Sequence, residues 1–210
     1  MYKKSHVLYE VKNEDIELLK NNPQEFWKDV KHISANAFFG ATKLIHLNIP
    51  EGIKSIGDEA FYNCMFMRTL TLPKSLKRIG KRAFMWCELL HEVEIPEGVE
   101  ELNSTFAGCG ALRKVVLPTS MVSVGKDTFS YCENLTDLSF PEGCHVSRKA
   151  FEGCPHLMQK FFPLKPAVKK TISYSQKYRQ GHKQKQQQAL EESAKNFSIF
   201  DNFSDDDMIL

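Results

Sequence analysis

The chain has 210 residues, 42% of them apolar, and its 28 Lys and Arg nearly balance its 26 Asp and Glu. That balance gives no overall bias toward a polyanion, and no apolar run approaches the roughly 20 residues of a membrane-spanning helix. A helical integral membrane protein, a collagen and a wholly disordered chain are excluded.

Met1 to Glu10 contains two lysines but no apolar stretch after them, so no export leader is read and the expected location is cytoplasmic. Residues 1–33 are expected to form a capping segment. Tyr2 to Val11 can supply a strand, and Asn13-Glu14-Asp15 precedes Ile16, Leu18 and Leu19 as a helix start. Asn22-Pro23 has N-cap and first-turn chemistry for a second helix carrying Phe26, Trp27 and Val30. Trp27 is expected to pack within this cap.

From residue 34 the sequence repeats. Prolines at 50, 73, 96, 118, 141 and 163 are spaced by 23, 23, 22, 23 and 22 residues. Nine positions before each proline lies Cys64, Cys87, Cys109, Cys132 or Cys154, with Ala41 in the first copy, and a phenylalanine precedes that slot by three. Leu70/Leu72, Val93/Ile95, Val115/Leu117 and Leu138/Phe140 alternate with a period of two, which places each pair on one face of a short strand. The proline ends the strand because it has no N–H for a ladder. A second apolar pair, such as Ile53/Ile56 or Leu76/Ile79, then leads into the next A-F segment. One such unit cannot cover its own apolar side, whereas stacked units bury each face against the next.

The unit C-x-x-L-x-x-L-x-L-P-x-x-[IV]-x-x-I-G-x-x-A-F resembles the BspA-type leucine-rich repeat over residues 34–164. The resemblance implies a solenoid of about six units, with a strand-lined concave face and short helical or 3-10 turns on the convex side. It also implies protein binding, mostly at the cell surface or after secretion. Surface or secreted placement is therefore the alternative to the cytoplasm, and an adhesin is the alternative function. The last copy is degenerate, with Lys160 in the first strand slot.

Five of the six cysteines share one column. Stacked side chains point the same way, so the column reads as buried free thiols acting as small apolar residues. A linear row does not converge four ligands on zinc, and no catalytic or cofactor motif occurs. The chain reads as a non-enzyme with no catalytic, metal or cofactor residues.

Two surfaces stand out as binding candidates. On the convex turns of the second and third repeats, Tyr62, Met65, Phe66, Met85, Trp86 and Leu89 would form one apolar patch, either docking a protein or covered by a terminal segment of the chain. On the concave strip the candidates are His46, Arg68, His91, Glu94 and Arg113. The third repeat also carries Lys74, Lys77, Arg78, Lys81 and Arg82, which could attract an acidic partner or be neutralised by Glu97, Glu100 and Glu101.

Residues 165–185 hold seven basic side chains and no acid, while 186–210 hold six acids and one lysine. Residues 165–210 are expected to be a mobile charged tail. Its basic block could touch nucleic acid or anionic lipid, although a protein is the expected partner and nucleic acid is not. The expected function is a non-catalytic recognition scaffold, with an accessory subunit of a partner enzyme as a further alternative.

Overall fold

Period-two apolar pairs become short parallel strands, each lying beside its equivalent one coil later. The computed structural model of the chain describes residues 2–4, 6–12 and 15–163, so the expected tail lies outside the described residues. Leu47, Leu70, Val93 and Val115 are the buried centres of β4 (His46–Asn48), β6 (Thr69–Thr71), β8 (Glu92–Glu94) and β10 (Lys114–Val116). Leu47 is in register with Leu70, and Val115 with Val93.

The apolar pair after each proline forms a second strand column. It comprises β3 (His32–Ile33), β5 (Ser55–Ile56), β7 (Arg78–Ile79), β9 (Glu101–Leu102), β11 (Ser123–Val124) and β12 (His145–Val146). Hairpin strands β1 (Tyr2–Lys4) and β2 (Val7–Glu10) extend this column at its start, with β2 parallel to β3. The sheets are interrupted at one level: β4 pairs with β6 and β8 with β10, while the second column divides between β7 and β9.

The interruption coincides with an alternation in the proline turns. Pro50-Glu51-Gly52 and Pro96-Glu97-Gly98 alternate with Pro73-Lys74-Ser75 and Pro118-Thr119-Ser120. Glu51 accepts the backbone N–H groups of Lys74 and Ser75, and Glu97 accepts those of Thr119 and Ser120. Ser75 and Ser120 in turn accept from the backbone of Gly52 and Gly98. Coils are thus tied in pairs.

Those N–H bonds hold both carboxyls below their ordinary value of 4.5. A lowered folded value stabilises fully above the ordinary range and is lost as pH falls through the folded value. Glu97→Gln is therefore expected to lower the melting temperature near neutrality, with the gap to wild type closing as pH falls below 4.5. A gap constant from pH 6 to pH 2 would show that the carboxylate does not tie the turns.

Between the strand columns runs a column of fully buried rings: Phe38, Phe61, Phe84, Phe106, Phe129 and Phe151. Successive centroids lie 4.6, 5.1, 5.5, 6.0 and 6.0 Å apart, with interplanar angles of 3–21°. Aromatic side chains close both ends. Phe26 and Trp27 of α2 (Pro23–Trp27) lie 6.1 Å from Phe38, and Phe161 and Phe162 lie 6.3 and 6.2 Å from Phe151. Asn22 caps α2 as read, accepting from Glu25 N at 3.2 Å, while α1 (Asp15–Asn21) buries Ile16 and Leu19. The A-F segment runs as consecutive turns in the first five coils. Only the last coil forms a 3-10 helix, Arg148–Phe151, followed by α3 (Pro155–Phe161).

The five column cysteines are buried free thiols. Each Sγ–H donates to the carbonyl of the preceding coil's phenylalanine: Cys64 to Phe38 at 3.1 Å, Cys87 to Phe61 at 3.4 Å and Cys109 to Phe84 at 3.3 Å. Cys132 reaches Phe106 at 3.1 Å and Cys154 reaches Phe129 at 2.7 Å. A cysteine here fills the volume of a small apolar residue and also meets a buried carbonyl.

Burial pushes the Cys64 thiol from its ordinary 9.0 up to about 12 and raises Cys87, Cys109 and Cys132 as well. Stability from these neutral thiols is full below the ordinary value and falls as pH rises above it, because the unfolded chain then releases protons. A thiol reagent at neutral pH is expected to reach the half-buried Cys144 first. The five column cysteines should react only at the rate of global unfolding, and rapid labelling of any of them would show an open core.

Candidate protein-binding surface

The corner of each coil between phenylalanine and cysteine has two intervening positions with different backbone demands. The residue just before the cysteine is left-handed in all six coils: Gly40, Asn63, Trp86, Gly108, Tyr131 and Gly153 have φ between 60° and 77°. Trp86 lies over Gly108, where an added Cβ would fall under 3.0 Å from the indole ring, and Tyr131 lies over Gly153 in the same way. A large aromatic in this slot is thus accommodated by glycine one coil later. With only 8% of its surface exposed, Trp86 is core and contributes nothing to an outer patch.

In the first three coils the position after the phenylalanine reaches the surface, whereas Ala107 and Ser130 in the same slot are buried. Phe39 is 53% exposed and its ring stacks on Tyr62 at 5.1 Å and 4°, with Met85 in the same column one coil on. Beyond the cysteine, Phe66 is 37% exposed, while Met65 and Leu89 are half-buried. Five of the six residues read as a patch therefore reach the surface, and Phe39 extends it to the first coil. The Phe38-Phe39 doublet occupies the slots of Phe61-Tyr62 and Phe84-Met85, so column alignment was the signal that identifies Phe39.

The strand strip is two rows rather than one. His46, Thr69, Glu92 and Lys114 share the first outward row of β4, β6, β8 and β10, and Asn48, Thr71, Glu94 and Val116 share the second. Arg68, His91 and Arg113 are exposed but lie one position before their strands, because the preceding loop differs in phase from the strand's alternation. His46 Nδ1 lies 3.0 Å from Thr69 Oγ1 in the next coil. Two shallow clefts follow this face and share Thr71. One, of about 660 Å³, lies between Trp27, Pro23 and β4–β6; the other, of about 740 Å³, follows β6, β8 and β10.

Among the described residues, no three His, Cys, Asp or Glu side chains group to hold a metal, and no helix is long and apolar enough to cross a membrane. The sequence profile of the BspA type leucine rich repeat region matches residues 20–105 and 54–177, with six copies. The chain belongs to this family.

A leucine rich cell surface protein from Faecalibacterium prausnitzii is 30% identical, with a TM-score of 0.55 over 61% of this chain and 35% of its own. The T. pallidum leucine rich repeat protein is 26% identical, with a TM-score of 0.53 over 60% of this chain and 71% of its own. A leucine-rich repeat protein from Eubacterium ventriosum, 24% identical with a TM-score of 0.55, shares the fold, covering 68% of this chain and 37% of its own. The BspA-type repeats here thus span about a third of the length of the first and third of these proteins. No curated protein sequence matches the chain.

Proposed function

We propose that the chain is a non-catalytic recognition module that binds a protein through the outer corner of its first three coils. The stack of exposed Phe39 on half-buried Tyr62 carries this reading. A repeat surface gains nothing from presenting such a ring to water, whereas aromatic and methionine side chains supply the desolvated centre of a protein interface. Met65, Phe66, Met85 and Leu89 widen that centre. The relative described as a cell surface protein supports surface display over a cytoplasmic location. The five column thiols are compatible with display, since buried neutral thiols do not react in an oxidising compartment.

The test is a pull-down with the intact chain and with the double variant Phe39→Ser/Phe66→Ser. Both side chains are exposed, so thermal stability should change by only a few degrees while partner capture is lost. Equal capture by both forms would sink the reading. Loss of folding would reassign the two rings to the core.

A further inference from the structure

Lys31, Lys54 and Lys77 occupy one column directly before β3, β5 and β7. Lys54 N donates to Lys31 O at 2.7 Å and Lys77 N to Lys54 O at 2.9 Å, so the three residues are in register on adjacent coils. All three are exposed, and among the described residues no carboxylate lies within salt-bridge distance of any of them. Exposed Arg78 adds a fourth charge next to Lys77, in the row shared by His32 and Ser55.

Elsewhere the same solenoid pairs its stacked charges. Glu59 meets Arg82 at 2.7 Å, Asp137 meets Lys114 at 3.5 Å, and Asp58 accepts the backbone N–H of Lys81. The basic run of the third repeat is therefore divided by the fold. Lys81 and Arg82 each meet an acid of the preceding coil, while Lys77 and Arg78 extend a column that stays basic up to Glu100 and Glu101. Like charges on neighbouring strands, about 4.8 Å apart, destabilise a sheet, so this column opposes folding. It ends at the next coil, where Glu100 and Glu101 reverse the sign and confine the positive field to three coils.

We infer that this column is a second interaction surface, whose partner is an acidic, extended polypeptide segment. Three lysines and an arginine in register on adjacent coils favour a run of carboxylates lying along the coil axis. The column and its neighbouring row hold no Phe, Tyr or Trp ring on which nucleobases could stack, which disfavours single-stranded nucleic acid. Hydroxyl and imidazole groups of Ser55 and His32, 2.8 Å apart, flank the lysines as hydrogen-bonding groups.

The experiment titrates the full-length chain with labelled poly-L-glutamate and, separately, with a single-stranded oligonucleotide of equal charge, following anisotropy at two salt concentrations. Lys31→Gln/Lys54→Gln/Lys77→Gln is expected to weaken polyglutamate binding about tenfold or more, with wild-type affinity falling as salt rises. Lys12→Gln/Lys126→Gln/Lys149→Gln removes the same charge elsewhere and should change affinity less than about twofold. The column variant should also melt no lower than wild type, since the substitution relieves repulsion. Equal loss in both triple variants, no polyglutamate binding by wild type, or tighter binding of the oligonucleotide would each overturn the inference.

Discussion

Phe84→Ala is expected to cost about 3–5 kcal/mol in chemical denaturation. Phe84 is fully buried with rings on both sides, Phe61 at 5.1 Å and Phe106 at 5.5 Å, so truncation leaves a void that neither neighbour can fill without leaving its own stack. Its position matters as much as its size. The level at which Phe84 meets Phe106 is also where the strand columns are interrupted, so there the ring column and the turn bonds from Phe84 N to Thr105 O and Trp86 N to Ala107 O join the coils beside the packed strand side chains. Stability in a stacked array is approximately a sum of nearest-neighbour terms. Phe84→Ala should therefore also broaden the transition, whereas Phe66→Ala at the exposed corner should leave midpoint and slope nearly unchanged. A loss below about 1 kcal/mol for Phe84→Ala would show that the rings are not the principal coupling between coils.

Gly80→Ala is expected to destabilise by about 1–3 kcal/mol, at the level of an overpacked core. A Cβ on Gly80 would fall under 3.0 Å from Asp58 N and Gly57 C of the preceding coil, and backbone atoms cannot turn aside as a side chain can. Gly57 meets Ser34 and Ala35 in the same way. Gly110 is the contrast, since nothing lies within 4 Å of its would-be Cβ. Gly110→Ala should be neutral, or stabilise by up to about 1 kcal/mol through the unfolded chain. Comparing the melting temperatures separates close backbone approach from glycine content in general. Equal effects at the two positions would mean that the I-G column is not set by coil spacing.

The phenylalanine, cysteine and proline columns were legible because each recurs with the coil period and each has one physical role throughout. The second strand column was legible only as an apolar pair, since two residues are too few to show a period. Trp86 was misplaced as an outer residue because its left-handed backbone turns the indole over the next coil, and its space is made by Gly108, 22 residues away. Phe39 escaped the patch because it precedes the first cysteine copy, where Ala41 weakens the repeat signal. The strip residues Arg68, His91 and Arg113 were offset by one position because a strand's phase is set by its pairing rather than by the preceding loop.

What the sequence determined by itself was the period, the identity of the buried columns and the helical start of the cap, because these depend on residue type at fixed spacing. Which side chains share a column across coils, and therefore which charges meet acids and which meet only their own kind, was decided by the tertiary stack. Residues 23 apart become neighbours through backbone bonds between coils. Lys31, Lys54 and Lys77 recur at the repeat period, and the backbone bonds between coils make them neighbours in one column.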